Sequence, residues 1–207
     1  ASRTQLMNIH RLCWDEELLH IFDIPLSMMP DLYPSDHLFG TMEVSPLAGL
    51  NVPIAGVLGD SHAALFGQHC FDRGMTKVTY GTGSSIMMNI GNTPYLSENG
   101  LVTSVGWGVG GQVVYVAEGN INSSADTIKW LVDKLELIPH PAISEELALS
   151  VDSTDGVYLV PAFVGLGTPY WDSDATALIT GITRGTHMAH IVRAACESIG
   201  YQVKDIV

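Results

Sequence analysis

The chain has 207 residues, and its 9 basic and 22 acidic side chains give a formal charge of −13 with histidines neutral. That length allows one large domain or parts of two, and 46% hydrophobic residues with 21 glycines describe a folded, turn-rich chain rather than a disordered one. The charge argues against nucleic acid or anionic membrane as the main partner, because both repel an acidic surface; nucleotide binding stays open, since it needs only a local nest of backbone N–H groups.

Three widely spaced cysteines, Cys13, Cys70 and Cys196, form no disulfide framework or zinc pattern, so a reducing compartment, the cytoplasm, is expected. No run reaches the roughly 18 apolar residues of a membrane span, and no signal peptide is expected from the mixed polar first residues. The first residues lack an initiator Met and the last lie inside a helical pattern, so both ends read as interior to a longer protein. The oligomeric state is left open between monomer and homo-oligomer.

In chain order, residues 15–22 predict a short helix with acidic residues in its first turn, where the helix dipole favours them. Pro25, Pro30 and Pro34 then impose turns. Residues 51–58 are mostly apolar without alternation, the pattern of a strand buried on both faces in an α/β sheet. Gly59-Asp60-Ser61 follows, and a helix is expected over 63–66. The polar link Phe71–Gly74 places a domain boundary near residue 73, giving portions 1–72 and 73–207. Strands are expected at 76–80, 85–90 and 112–117, with a weaker one at 101–105. A helix over 123–137 puts Ile128, Leu131, Val132 and Leu135 on one face. A buried strand over 156–163, a loop over 164–174, a short strand over 177–182 and a long helix over 188–206 complete the reading.

Gly81-Thr82-Gly83-Ser84 joins two β-type runs. It reads as an ordinary hairpin in which glycine supplies positive φ, or as a phosphate cradle in which small residues let backbone and hydroxyl donors approach an anion. It is not a Walker A loop, because no Gly-Lys-Ser/Thr follows. Gly106-Trp107-Gly108-Val109-Gly110-Gly111 matches G-x-G-x-x-G but lies between β-type runs, so a hairpin is expected there. Asp60 lies just past an apolar strand, where open α/β sheets place ligands; position alone leaves it equally a helix cap or a catalytic base. His187 and His190 read as surface or capping residues, Met87-Met88 as core filling and Cys196 as a buried, inert thiol. No metal-ligand set is expected.

Several segments, in order, resemble the FGGY family of carbohydrate kinases. They are Ala1–Thr4, Gly59–Gln68, Thr79–Ser84, Ser97–Leu101, Glu118-Gly119, Ile128–Leu131, Val160–Asp172 and Gly181–Ser198. The resemblance implies an α/β chain with parts of two actin-like (ribonuclease H-like) ATPase domains. Residues 1–72 would be the C-terminal portion of the sugar-binding domain, and 73–207 the N-terminal portion of the ATP-binding domain. It implies transfer of the γ-phosphoryl of Mg-ATP to a hydroxyl of a sugar or polyol such as glycerol or xylulose, with ATP and Mg²⁺ required. By the same resemblance Asp60 is the base that deprotonates the acceptor. Gly81, Thr82, Gly83 and Ser84 contact the β- and γ-phosphates, and Ala125 and Lys129 fall where the family contacts the nucleotide. The family's glycerol-specific members carry Gly and Gln at those last two positions, Gln at Ser61 and an aromatic at Ser85. Ser61 and Ser85 therefore imply a roomier, more polar acceptor pocket. The family's first phosphate loop and last adenosine loop do not occur in these residues, so the 207 residues alone are expected to be inactive. A non-catalytic nucleotide-binding module of the same superfold is the rival reading.

Overall fold

The computed structural model describes every residue except 2, 44, 45, 47 and 48, so Ser2 of the Ala1–Thr4 resemblance lies outside the described residues. The chain forms two units. One comprises Ala1–Lys77, Met87–Ser97 and Val102–Glu118, the other Val78–Ile86, Glu98–Leu101 and Gly119–Val207.

The chain opens with the antiparallel pair β1 (Met7–Asn8) and β2 (Cys13–Trp14), followed by α1 (Glu16–Ile21). Asp15 starts that helix because its carboxylate accepts the backbone N–H groups of Glu17 and Leu18, two donors with no partner inside the helix. β3 (Gly40–Thr41) and β4 (Pro53–Ile54) form a second short antiparallel pair.

Here the expectation for 51–58 is corrected. Only Pro53 and Ile54 are strand, and both are exposed. Pro53 has no N–H and so cannot occupy a central strand. The stretch pairs along one edge instead, through Phe39 N–H to Ile54 O and Met42 N–H to Val52 O, at 2.8 and 2.9 Å. Asp60 therefore does not end a buried strand. It is the first residue of α2 (Asp60–Gly67), with Gly59 at the cap position.

β5 (Thr76–Tyr80), β6 (Ser84–Gly91), β7 (Val102–Val109) and β8 (Gln112–Ile121) form one sheet in the order β5-β6-β8-β7. β7 is longer than the weak strand expected at 101–105, and it pairs antiparallel with β8 along its full length. The turn between them is Gly110-Gly111 at φ of 59 and 77°, so the G-x-G-x-x-G stretch is the hairpin its context required. The first unit packs Leu65, Cys70, Met87, Trp107 and Val116 into a core, with Phe66 edge-on to Trp107 at 5.3 Å.

The second unit carries α3 (Ala125–Asp133), α4 (Ser144–Leu149), the antiparallel pair β9 (Tyr158–Val160) and β10 (Leu178–Thr180), and α5 (Met188–Ile206). α3 ends earlier than expected because the chain turns back, with Leu137 N–H reaching Leu131 O at 2.9 Å and Glu136 at φ 50°. Leu135 is consequently exposed, while Leu131 stays fully buried with Ile138, Val157, Leu159, Val192, Ala194 and Ala195. The strand expected over 156–163 contracts to β9, although Val157 and Leu159 are buried as the apolar run implied. His187 and His190 cap α5 reciprocally. Cys196 is half-buried rather than buried. Among the described residues no helix is long and apolar enough to cross a membrane.

Candidate active site

In the first unit, α2 presents Asp60 at its exposed first position, where one carboxylate oxygen accepts the Ser61 N–H at 2.7 Å. An acid in the first helical turn is favoured by the dipole, so sequence and helix agree locally. Half-buried Ser61 is the next residue of α2. Arg3, His62 and Lys77 each feel the charge of Asp60.

Arg3 forks onto Glu118, its Nη2 donating to Oε1 at 2.7 Å and its Nη1 donating to Oε2. Glu118, near the end of β8, is 1% exposed, a buried carboxylate that needs such a partner. The hydrogen bonds to Glu118 first, then the charges of Glu118 and Asp60, hold the guanidinium more basic than usual against the opposing effect of burial. Lys77 of β5 is also buried, and burial lowers its pKa against the raising charges of Glu118 and Asp60. His62 lies 1% exposed in α2, its Nε2 3.4 Å from Ser104 Oγ and its Nδ1 without a hydrogen-bond partner. Burial first, then the Arg3 charge, keeps its pKa below the ordinary value. A Cβ at position 59 would stand 3.1 Å from that Nδ1, a tight contact that glycine avoids. A cavity of about 540 Å³ in the same unit is walled by Trp14, Tyr33, Phe39 and Trp107 and reaches Thr4 and Gly59.

In the second unit the Gly81–Gly83 turn links β5 to β6. β5 and β6 are neighbours in the sheet, so the turn is a hairpin, but neither glycine has positive φ, which corrects the expectation that its glycines supply it. Gly83 is required by close approach: a Cβ there would lie 2.4 Å from Ile121 O and 3.0 Å from Asn122 O. The turn's carbonyls face α3. Ser124 N–H donates to Thr82 O at 2.8 Å, and Ala125 N–H to Gly81 O at 3.0 Å. Ser84 Oγ donates to Ser124 Oγ at 2.8 Å inside the unit. The orphan donors of the α3 N-terminus are thus satisfied by the turn itself. That leaves exposed Thr82 as the turn's outward residue, on a backbone held stiffly from behind.

Ala125 and Lys129 are exposed and four residues apart, one face of α3; Lys129 makes a loose ion pair with Asp133 at 3.9 Å. Ser85, on β6, is half-buried with an unpartnered hydroxyl. The structure therefore gathers Gly81–Ser84 and Ala125 at one turn-and-helix junction, and sets Asp60 beside charges that sequence reasoning did not single out. A signal for those was present: Lys77 and Glu118 each interrupt a β-type run, and a charge in such a run calls for a partner.

The model of the FGGY family of carbohydrate kinases, C-terminal domain, matches residues 76–207, and that of the N-terminal domain matches residues 1–67. Glycerol kinase of Oceanobacillus iheyensis is 54% identical over 207 residues, covering 100% of this chain and 41% of that protein. Glycerol kinase 1 of Thermotoga maritima is 56% identical over 206 residues, covering 100% and 42%. The crystal structure of Plasmodium falciparum glycerol kinase with ADP matches with a TM-score of 0.89 at 38% identity, covering 99% of this chain and 41% of that one. Ligand-bound xylulose kinase from Lactobacillus acidophilus matches with a TM-score of 0.84 at 19% identity, covering 98% and 42%, a likeness of fold alone. The chain spans about two fifths of the length of the curated relatives it matches.

Proposed function

Because the chain belongs to the FGGY family of carbohydrate kinases and so has the actin-like ATPase fold, we propose that it supplies the acceptor base and a phosphate-holding turn of an ATP-dependent kinase acting on a sugar or polyol. In this reading residues 1–72 belong to the sugar-binding domain and 73–207 to the ATP-binding domain, and the enzyme works in the cytoplasm. The observation that carries it is Asp60, an exposed carboxylate on the first turn of α2 within a local set of charges.

The chemistry follows from those groups. The acceptor hydroxyl gives its proton to the Asp60 carboxylate as its oxygen forms a bond to the γ-phosphorus. The bond from that phosphorus to the bridging oxygen breaks, its electron pair leaves with ADP, and the proton later passes to water. The exposed Thr82 hydroxyl and backbone N–H donors of the Gly81–Ser84 turn stabilise charge on the phosphate oxygens, with Ser84 bracing the turn through Ser124. Ala125 and Lys129 contact the nucleotide along α3. Among the described residues no cluster of three or more His, Cys, Asp or Glu forms a metal cage. Mg²⁺ bound with the nucleotide would neutralise charge on its phosphates.

The relatives' names make glycerol the first acceptor to assay. The small side chains at Ser61 and Ser85, the latter with an unpartnered hydroxyl, favour a longer polyol or pentulose as second. A purely nucleotide-binding module has no use for an exposed acid at the acceptor position. The test is ATP-dependent phosphorylation of glycerol, a tetritol and xylulose by the complete gene product. Turnover on one of these that is lost on Asp60→Asn supports the reading, and turnover unaffected by that change overturns it.

A further inference from the structure

Glu118 presents two carboxylate oxygens to Arg3 from a position almost closed to water, while the Arg3 side chain is itself 50% exposed. A guanidinium has five N–H groups. Two go to Glu118, and three are left, fixed in direction by the fork. Ala1 and Thr4, on either side of this residue, line the same cavity as Gly59, the neighbour of Asp60. Arg3, His62 and Lys77 are each reached by the Asp60 charge; Lys77 and His62 are buried and Arg3 is open to solvent. An oriented, solvent-facing cation beside an acceptor base, anchored from behind by a buried acid, is suited to hold an oxyanion.

We propose that Arg3 is a further catalytic residue, donating N–H groups to the non-bridging oxygens of the phosphoryl group as it reaches the acceptor, with Glu118 as its positioning residue. Arg3 forms no covalent bond and gives up no proton; it holds charge that the transfer places on those oxygens. This rests on the kinase reading above. The two are separable, because wild-type protein that phosphorylates no sugar or polyol defeats the kinase reading, whereas the present inference fails only in an active enzyme.

The experiment compares wild type, Arg3→Ala and Arg3→Lys in the complete gene product, with melting curves to confirm folding. Arg3→Ala is expected to lower kcat by roughly 10²- to 10³-fold, the effect of deleting one such donor, with the KM for ATP changed little. Millimolar guanidinium added to Arg3→Ala is expected to restore part of that activity, which a merely structural arginine would not allow. Arg3→Lys keeps the charge without the fork and should fall between the two; it carries the test if Arg3→Ala does not fold. Affinity for the phosphorylated acceptor, with glycerol 3-phosphate as probe, separates two supporting outcomes: weakened binding means the contact persists in the product, and unchanged binding means it is made during transfer. A folded Arg3→Ala with kcat within about twofold of wild type, or a loss that guanidinium leaves untouched, overturns the proposal, as does Arg3→Lys with full activity when it alone folds.

Discussion

Replacing Gly83 by alanine probes the phosphate turn. The added methyl would sit 2.4 Å from Ile121 O, a distance that no unstrained Cβ adopts, and a tight 3.0 Å from Asn122 O, so the turn or the end of β8 must move by several tenths of an ångström. Such overpacking costs about 1–3 kcal/mol. Moving the turn also stretches the bonds from Ser124 N–H to Thr82 O and from Ala125 N–H to Gly81 O, now 2.8 and 3.0 Å. At about 1 kcal/mol each, their loss brings the expected destabilisation to about 3–5 kcal/mol, a large part of a domain's stability. Urea unfolding followed by far-ultraviolet circular dichroism reads it directly. Gly200→Ala, in the interior of α5 with nothing within 4 Å of the new methyl, is the control, and it should gain about 0.5–1 kcal/mol. A Gly83→Ala midpoint equal to wild type, or a Gly200→Ala loss as large as the Gly83→Ala loss, would refute close approach as the reason for that glycine.

The buried His62 makes stability depend on pH. Its folded pKa lies below the ordinary 6.5, so below about pH 6.5 the unfolded chain binds the proton more readily and stability falls as pH drops through that window. His62→Gln should show a shallower fall in Tm between pH 7.5 and 5.5, and an equal fall in both proteins would contradict the burial argument. The thiols should alkylate in order of access at pH 7.5. Exposed Cys13 reacts first, half-buried Cys196, whose thiol burial pushes up, follows slowly, and buried Cys70 comes last; peptide mass mapping that finds Cys70 or Cys196 ahead of Cys13 would count against it.

Elements with a strong local signal were legible in the chain. The acid-led first turn foretold α1, and the expected strands at 76–80, 85–90 and 112–117 and helix at 188–206 fall within β5, β6, β8 and α5 to within a residue or a few. The stretch 51–58 misled because an apolar run without alternation looks the same whether both faces are covered or one edge is free, and Pro53 was the residue that should have decided it. α4 passed unnoticed because it is a single six-residue segment that completes its apolar face only by docking on α5. At the site, Asp60 and the Gly81–Ser84 turn stood out by composition. Arg3 did not, because it lies 115 residues from Glu118 and looks like an ordinary surface charge until the fold pairs them; Glu118 showed only as a charge within a β-type run, with nothing to say what it pairs with. The need for glycine at position 83 was equally hidden, since it arises from carbonyls of residues 121 and 122 rather than from its own φ.

The central claim is that the carboxylate at the start of α2 takes the acceptor's proton. Its most direct test is Asp60→Asn in the complete gene product, with phosphorylated polyol measured by a coupled assay and Mg-ADP binding by calorimetry. The amide keeps the size of the side chain but cannot accept that proton, so turnover should fall by about 10²- to 10⁴-fold while ADP affinity stays within about twofold. Turnover that survives the substitution, or a loss that is matched by loss of nucleotide binding, would contradict the assignment.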